Sequence, residues 1–444
     1  MKKVITYGTF DLLHFGHVNV LQNAKKLGDY LIVGITSDDF DKRRGKLNVK
    51  QSLSERIDAV KKLGIADEII VEEYEGQKID DIKKYDVDIF TVGSDWFGKF
   101  DYLNEFCKVM YLPRTEGISS TQQRNENSLR LGIVGEVSYI HKYVAESKVV
   151  NGLELVGICA KSTRNFPDEI LSFVSEKAYE DFLDDVDAVY VASQPKYHFE
   201  QISLALKKGK HVLCESPIAL TQQQCTQLFD LAKQSGCILM ESIKTAYSVA
   251  YSRLLLLAKM GEIGDVVSID ATCTSLMDKK QNQLDYEWKS LYAWGPTAML
   301  PVFQLLGTNF VHKNIATAYI DKKQKFDAFT NVNFIYKNAV ANIKVGKGVK
   351  SEGELIISGT KGYIYVPAPW WKTDYFEIRY EDSSKNKRFF YQLEGEGIMH
   401  QFVTFVKSIE LGLNVSYIDN EISQAIAGIV QDFEDKKDLF TIEI

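Results

Sequence analysis

Residues 7–17 read YGTFDLLHFGH. His14 and His17 flank Gly16 and follow the apolar run VIT. Side chains three apart on a helix share a face, and the free amides at a helix start attract anions. The two imidazoles can therefore donate hydrogen bonds to a phosphate whose charge grows during attack, while Gly8 lets the backbone turn tightly beside a ligand. Two further stretches suit the same chemistry. RTEGISST, residues 114–121, offers the planar fork of Arg114 for phosphate oxygens, followed by Gly117 and hydroxyls that suit a phosphate-cradling helix start. DKRRGK, residues 41–46, adds a basic loop able to hold a small anion.

These residues need a scaffold, and the spacing of apolar runs predicts one. KKVITYG, DYLIVGITSD, DEIIVEE, DIFTVGSD and CKVMYLP read as strands, separated by helical patterns such as HVNVLQNAKKLG, KIDDIKKY and LSERIDAVKKLG, the last opened by a serine turn. Strand–helix alternation with apolar strands implies a parallel sheet covered on both faces, whose ligands bind beyond the carboxyl ends of the strands. The polar stretch QQRNENS, residues 122–128, reads as a linker. A second alternation starts at LRLGIVG and continues through LELVGICA, DAVYVAS, KHVLCES and CILMES. From about residue 265 longer β-rich runs with turn glycines take over (VVSIDATCTS, NVNFIYK, AVANIKVG, GELIISG, GYIYVP, YFEIRYE, RFFYQL), and EISQAIAGIVQDFEDKKD closes the chain as a helix. The expected fold class is thus α/β: a Rossmann-like domain over 1–125, a second Rossmann domain over 129–245, and an α+β domain with an open, largely antiparallel sheet over 246–444.

A chain of 444 residues exceeds one ordinary core, in keeping with that division. Its net charge of -7 argues against a nucleic-acid partner, because phosphate backbones attract basic faces. No apolar segment approaches the roughly 20 residues of a membrane helix, and MKKVITYG enters a strand pattern with no signal-peptide h-region. Six cysteines without a C-x-x-C pair read as reduced core thiols. A cytoplasmic protein is expected.

GTFDLLHFGH resembles the nucleotidyltransferase superfamily with the H-x-G-H motif. RTEGISST is similar to the cytidylyltransferases within it, and DWFGKFDYL, residues 95–103, resembles the glycerol-3-phosphate cytidylyltransferase family. The resemblance implies catalysis by His14, His17 and Arg114. It places CTP against Thr9, Phe10 and Lys46, with Thr115, Glu116, Gly117, Ile118, Ser119, Ser120 and Thr121 around the triphosphate. Arg44 and Lys78 would hold the acceptor phosphate, with Arg44 where the family has lysine. It further implies Mg²⁺ with the nucleotide, glycerol phosphate or a close polyol phosphate as acceptor, a homodimer, and a CDP-polyol that feeds teichoic-acid or capsule polymers.

LRLGIVGEVSYI, VYVASQPKYHFEQISLALKKGKHVLCESPIAL and MESIKTAY resemble the Gfo/Idh/MocA oxidoreductases, which implies an NAD(P) site using Gly132 and Gly135. The motifs depart from that family at three points. Val137 stands where a second glycine lets the backbone approach the pyrophosphate. Glu215-Ser216-Pro217 replaces the E-K-P triplet, so the catalytic lysine is absent. SLYAWGPTAMLPVFQLLG shows Ala293, Thr297 and Leu300 where that helix supplies an acid and a histidine or tyrosine. Lys244 in IKTAY would be the stand-in proton donor, His198 falls at a family position, and Lys161 with Arg164 would favour the 2′-phosphate of NADP. Two expectations follow for this half: a non-catalytic module for assembly or substrate handling, or a reductase of a small keto precursor such as dihydroxyacetone or its phosphate.

Overall fold

Val4 and Ile5 show why the first strands form. Both are fully buried, on opposite faces of one sheet: Val4 packs with Leu21, Leu31 and Val60, and Ile5 with Ile82, Phe90 and Leu103. A strand covered on both sides is near-continuously apolar, as VIT is but for the buried Thr6. The computed structural model describes all residues except 12, 14, 44–48, 50, 97, 113–127, 138, 164–165, 277–287, 322–325, 392–394 and 444. The chain divides into two compact units, Met1–Ser128 and Leu129–Ile444.

In the first unit, β1 (Lys3–Gly8), β2 (Tyr30–Thr36), β3 (Glu68–Glu72), β4 (Ile89–Gly93) and β5 (Lys108–Leu112) form a parallel sheet in the order 3-2-1-4-5. Helices α1 (Phe15–Lys25), α2 (Asp38–Arg43), α3 (Leu53–Lys62) and α4 (Gln77–Tyr85) connect them. The serine that opens α3 is Ser52, and its partner is Glu55. Ser52 Oγ accepts the Glu55 amide at 3.4 Å, and Glu55 Oε2 accepts the Ser52 amide at 2.8 Å, a reciprocal cap. Strand order reverses between β1 and β4, which opens a crevice at their carboxyl ends.

In the second unit, β6 (Leu129–Val134), β7 (Leu153–Cys159), β8 (Val174–Ser175), β9 (Ala188–Val191), β10 (His211–Glu215) and β11 (Leu239–Ser242) form a parallel sheet in the order 11-10-9-6-7-8. The remaining strands are β12 (Val266–Thr274), β13 (His312–Asp321), β14 (Phe326–Ile335), β15 (Val340–Gly346), β16 (Leu355–Gly359), β17 (Tyr363–Val366), β18 (Tyr375–Arg379), β19 (Lys387–Phe390) and β20 (Leu439–Thr441). They make one open sheet in the order 19-18-17-16-12-15-14-13-20. Its neighbours are antiparallel except β12 with β15 and β13 with β20. The expected fold class, two Rossmann-like sheets and then a largely antiparallel one, is what the chain adopts. Among the described residues no helix is long and apolar enough to cross a membrane.

Candidate functional site

The turn after β1 is built around Phe10. Its backbone is left-handed, with φ of 53°, which folds the ring back over Gly8. A Cβ on Gly8 would lie 3.0 Å from that ring, so glycine is what the turn requires. The buried Phe10 ring then meets His17 edge-on, with centroids 5.5 Å apart. His17 sits in the first turn of α1, where helix amides also face an anion. Phe10, expected to touch nucleotide, thus also fixes the plane of the second histidine.

Arg56, which the sequence reading passed over, ties this turn to its neighbours. Its side chain is completely buried, and Nη1 donates to the carbonyls of Thr9 and Thr36 at 2.8 Å each. Nε donates to Gln51 O at 3.2 Å, Nη2 pairs with Asp38, and Asp41 lies 3.7 Å from Nη1. Asp41 also accepts from Thr9 Oγ1 at 3.1 Å. One planar guanidinium therefore joins the carboxyl ends of β1 and β2, a geometry no other side chain supplies. The signal available in sequence was an arginine inside the apolar face of an amphipathic helix, ERIDAV.

Beneath the same edge, Lys78 of α4 pairs with Glu72 at the end of β3. Its ammonium lies 4.8 Å from the Tyr7 ring centre and 5.6 Å from that of Phe100. Tyr7 donates to Asp81 at 2.9 Å; burial and then Asp81 push its phenol far above the ordinary range, so it stays a donor. DWFGKFDYL follows β4, next to β1 in the sheet. Phe100 packs on Phe90 and Trp96 at 5.2 and 5.9 Å, and Tyr111 anchors Asp101 at 2.7 Å. The structure thus brings Thr9, Phe10, His17 and Lys78 to one edge. His14, Arg44, Lys46, Arg114–Thr121 and linker residues 122–127 lie outside the described residues.

In the second unit the fingerprint glycines serve packing. A Cβ on Gly132 would fall 2.5 Å from the Phe182 ring, and one on Gly135, whose φ is 141°, would fall 2.3 Å from Ala192 O. Beyond β7 lies an open cleft lined by Ala160–Thr163 and Val174–Glu176. At Glu215-Ser216-Pro217 the side chains of Glu215 and Ser216 are engaged within the protein. Ser216 turns inward and donates to the buried Glu241. Glu215 accepts from Tyr143 at 2.5 Å and from Tyr190, whose rings stack 4.6 Å apart. Burial raises its carboxyl against those two hydrogen bonds and the charge of Lys244. His198 is buried between Ser193 O at 2.8 Å and Pro217 O at 2.9 Å, a brace between two loops.

Lys244 reaches Glu396 at 3.1 Å, which also receives Lys142 at 3.0 Å and Lys372 at 2.7 Å. Burial alone would raise the Glu396 carboxyl, but hydrogen bonds from Lys372, Lys142 and Lys244 outweigh it and hold the group down at about 2. A carboxyl depressed in the folded state stabilises it fully above its unfolded value, here 4.5, and loses that contribution as pH falls toward 2. Calorimetric melting temperatures of Glu396→Gln should therefore fall less steeply than wild type as pH is lowered through that window. Parallel curves would remove this role.

Comparison with known proteins fits both units. Residues 5–126 match the cytidylyltransferase-like family, and residues 129–243 match the oxidoreductase family with an NAD-binding Rossmann fold. Glycerol-3-phosphate cytidylyltransferase of Bacillus spizizenii is 51% identical over 126 residues, covering 28% of this chain and 97% of that protein. The dTDP-3,4-didehydro-2,6-dideoxy-alpha-D-glucose 3-reductase of Actinomadura kijaniata is 30% identical over 174 residues, covering 37% of this chain and 50% of that protein. Crystals of the 3-ketoreductase KijD10 from Actinomadura kijaniata with NADP and TDP-benzene share the fold, with a TM-score of 0.62 at 20% identity over 72% of this chain and all of that one. The chain therefore belongs to the cytidylyltransferase-like family through its N-terminal domain, and it carries a Gfo/Idh/MocA-type oxidoreductase domain behind it.

Proposed function

We propose that residues 1–125 transfer a cytidylyl group from CTP to glycerol phosphate or a close polyol phosphate, giving a CDP-polyol and pyrophosphate. The observation that carries this reading is the Thr9–Phe10–His17 cluster at the carboxyl end of β1, with DWFGKFDYL following β4, the strand next to β1. A phosphate oxygen of the acceptor attacks the α-phosphorus in line, and pyrophosphate leaves. The acceptor phosphate is already ionised near neutral pH, so no strong base is needed. Positioning and charge stabilisation do the catalysis. His14, His17 and Arg114 meet the developing charge, residues 115–121 wrap the triphosphate with Lys46, and Arg44 and Lys78 hold the acceptor. Mg²⁺ arrives with the triphosphate, and two copies of the chain form the working unit.

A panel of phosphorylated acceptors with CTP and ATP, read by pyrophosphate release, tests this assignment. Turnover with CTP and glycerol phosphate supports it; none with any acceptor overturns it. Within that assay Lys78→Met should raise the acceptor KM by about 10-fold or more, the scale of one charge-assisted hydrogen bond, with the CTP KM unchanged. A matched rise in both values would assign Lys78 to the scaffold.

For residues 129–245 and 246–444 we propose an assembly or substrate-handling role, resting on Ser216 at the lysine position and Val137 at the pyrophosphate turn. The cleft beyond β7 favours a second reading, an NAD(P)-dependent reductase of dihydroxyacetone or its phosphate. There Lys161 and Arg164, the latter outside the described residues, would hold the 2′-phosphate of NADP, and the bound dinucleotide would supply hydride. Oxidation of NADPH or NADH by either substrate selects the second reading; no oxidation and no thermal shift with either dinucleotide selects the first.

A further inference from the structure

Three lysines from separate elements converge on one carboxylate at the carboxyl edge of the six-stranded sheet. Lys142 lies in the helix Ile140–Ser147 that follows β6, Lys244 follows β11, and Lys372 ends the turn Trp370–Lys372. All three reach Glu396 within 3.1 Å. This is the edge where parallel sheets receive ligands.

The acceptor carboxylate is held in a constructed position. Gly395 and Gly397 flank it, both left-handed with φ of 58° and 76°. Glu146 accepts the amides of Glu396 at 2.6 Å and of Met399 at 2.7 Å, capping the helix Ile398–Leu411. A Cβ on Gly395 would fall 2.7 Å from Glu146 Oε1. The lysines are fixed as well: Thr245 donates to Trp371 O at 2.9 Å, which ties the Lys244 segment to the Lys372 segment. Beside them Trp371 packs on Trp294 at 4.8 Å, both half-buried.

Three ammonium groups meet one carboxylate, Glu396, directly, while among the described residues the nearby Glu146 and Glu215 keep their charge but turn their oxygens to backbone amides and to two phenols. A dianionic group in the place of the Glu396 carboxylate would therefore meet all three donors. A phosphoryl group has the charge and the acceptor oxygens for three ammonium donors.

We propose that Lys142, Lys244 and Lys372 form a phosphoryl-binding subsite, which the Glu396 carboxylate occupies until a phosphorylated short polyol displaces it. The choice of polyol rests on the reading of the first unit given above: the acceptor or its CDP-activated product. The Trp294–Trp371 pair offers an apolar wall to the carbon part of that ligand.

Calorimetric titration of the full chain with sn-glycerol 3-phosphate, and separately with CDP-glycerol, tests the subsite and identifies the source. Wild type should bind at least one of them at two sites per chain, and the Lys244→Met/Lys372→Met variant at one, with cytidylyl transfer unchanged. Whichever ligand loses its second site is the occupant. Glu396→Gln, which removes the competing carboxylate and keeps every lysine, should tighten that second site about 10-fold, or 1.4 kcal/mol. Equal stoichiometry in wild type and the double variant overturns the proposal, as does unchanged affinity in Glu396→Gln. A double variant that loses NADPH binding and keeps both polyol sites also overturns it, by assigning the lysines to the dinucleotide. Failure of cytidylyl transfer in the first unit leaves the change in stoichiometry readable, so the two readings fail separately.

Discussion

Pyrophosphate release from CTP and glycerol phosphate is expected to fall by about two orders of magnitude or more in His17→Ala, and equally in His14→Ala. The scale is that of losing one preorganised donor to a developing oxyanion. The phosphate oxygen that attacks is already charged, so the histidines act on negative charge that accumulates around the α-phosphorus as the bond to pyrophosphate breaks. An interaction that strengthens only in the transition state lowers kcat and leaves KM for CTP near its starting value. For His17 the geometry adds a check. Its ring is set edge-on by Phe10, whose φ of 53° is held by the Gly8 turn, so Phe10→Leu should lose part of the same kcat with the imidazole still present. Near-wild-type turnover in both histidine variants would withdraw the site.

Arg56→Met is expected to destabilise the first unit by about 3–5 kcal/mol, the cost of removing one partner from a buried ion pair. The substitution takes away the cation beside Asp41, which is fully buried, and leaves the carbonyls of Thr9, Thr36 and Gln51 without their guanidinium donor. For a unit of this size that corresponds to a melting point lower by roughly 10–20 °C. Leu129–Ile444 has cores of its own, so its transition serves as an internal reference in the same calorimetric scan. Arg56→Lys should recover little, because a point ammonium cannot address three carbonyls and two carboxylates from one plane. Full recovery by lysine would mean that charge alone, without the fork, holds the turn.

The first unit was legible in sequence because its central strands are buried on both faces and interrupted only by threonine; VIT, LIVGIT and IFTVG could be little else. The antiparallel sheet was harder to read. HKNIATAYID, which forms β13, went unassigned because its inward positions are mixed: Lys313, Ile315 and Thr317 are all buried. Lys313 is admitted there by Asp432 and Asp438, and Thr317 by Thr330, partners far enough away in the chain to hide the period-2 pattern. The helix Ile398–Leu411 was missed for a related reason: its N-terminus is capped by Glu146 from a distant helix. At the site, histidines and glycines announce themselves by spacing. Arg56 and the partners of Glu396 do not, because their meaning lies in which strand ends they join.

The parallel pairing of β12 with β15, Ser268 opposite Val340, has a kinetic corollary. The ribbons β13–β14–β15 and β16–β17–β18 are joined by short connections and can zip locally, whereas β12 must recross a long excursion of chain to enter between them. Loop closure grows dearer by only ~0.6 kcal/mol for each doubling of length, but it must be met before any contact rewards it. Insertion of β12 is thus the event that fuses two half-sheets into one. Until it happens, a nascent or partly refolded molecule presents a pair of naked strand flanks, which is where self-association of this protein would begin.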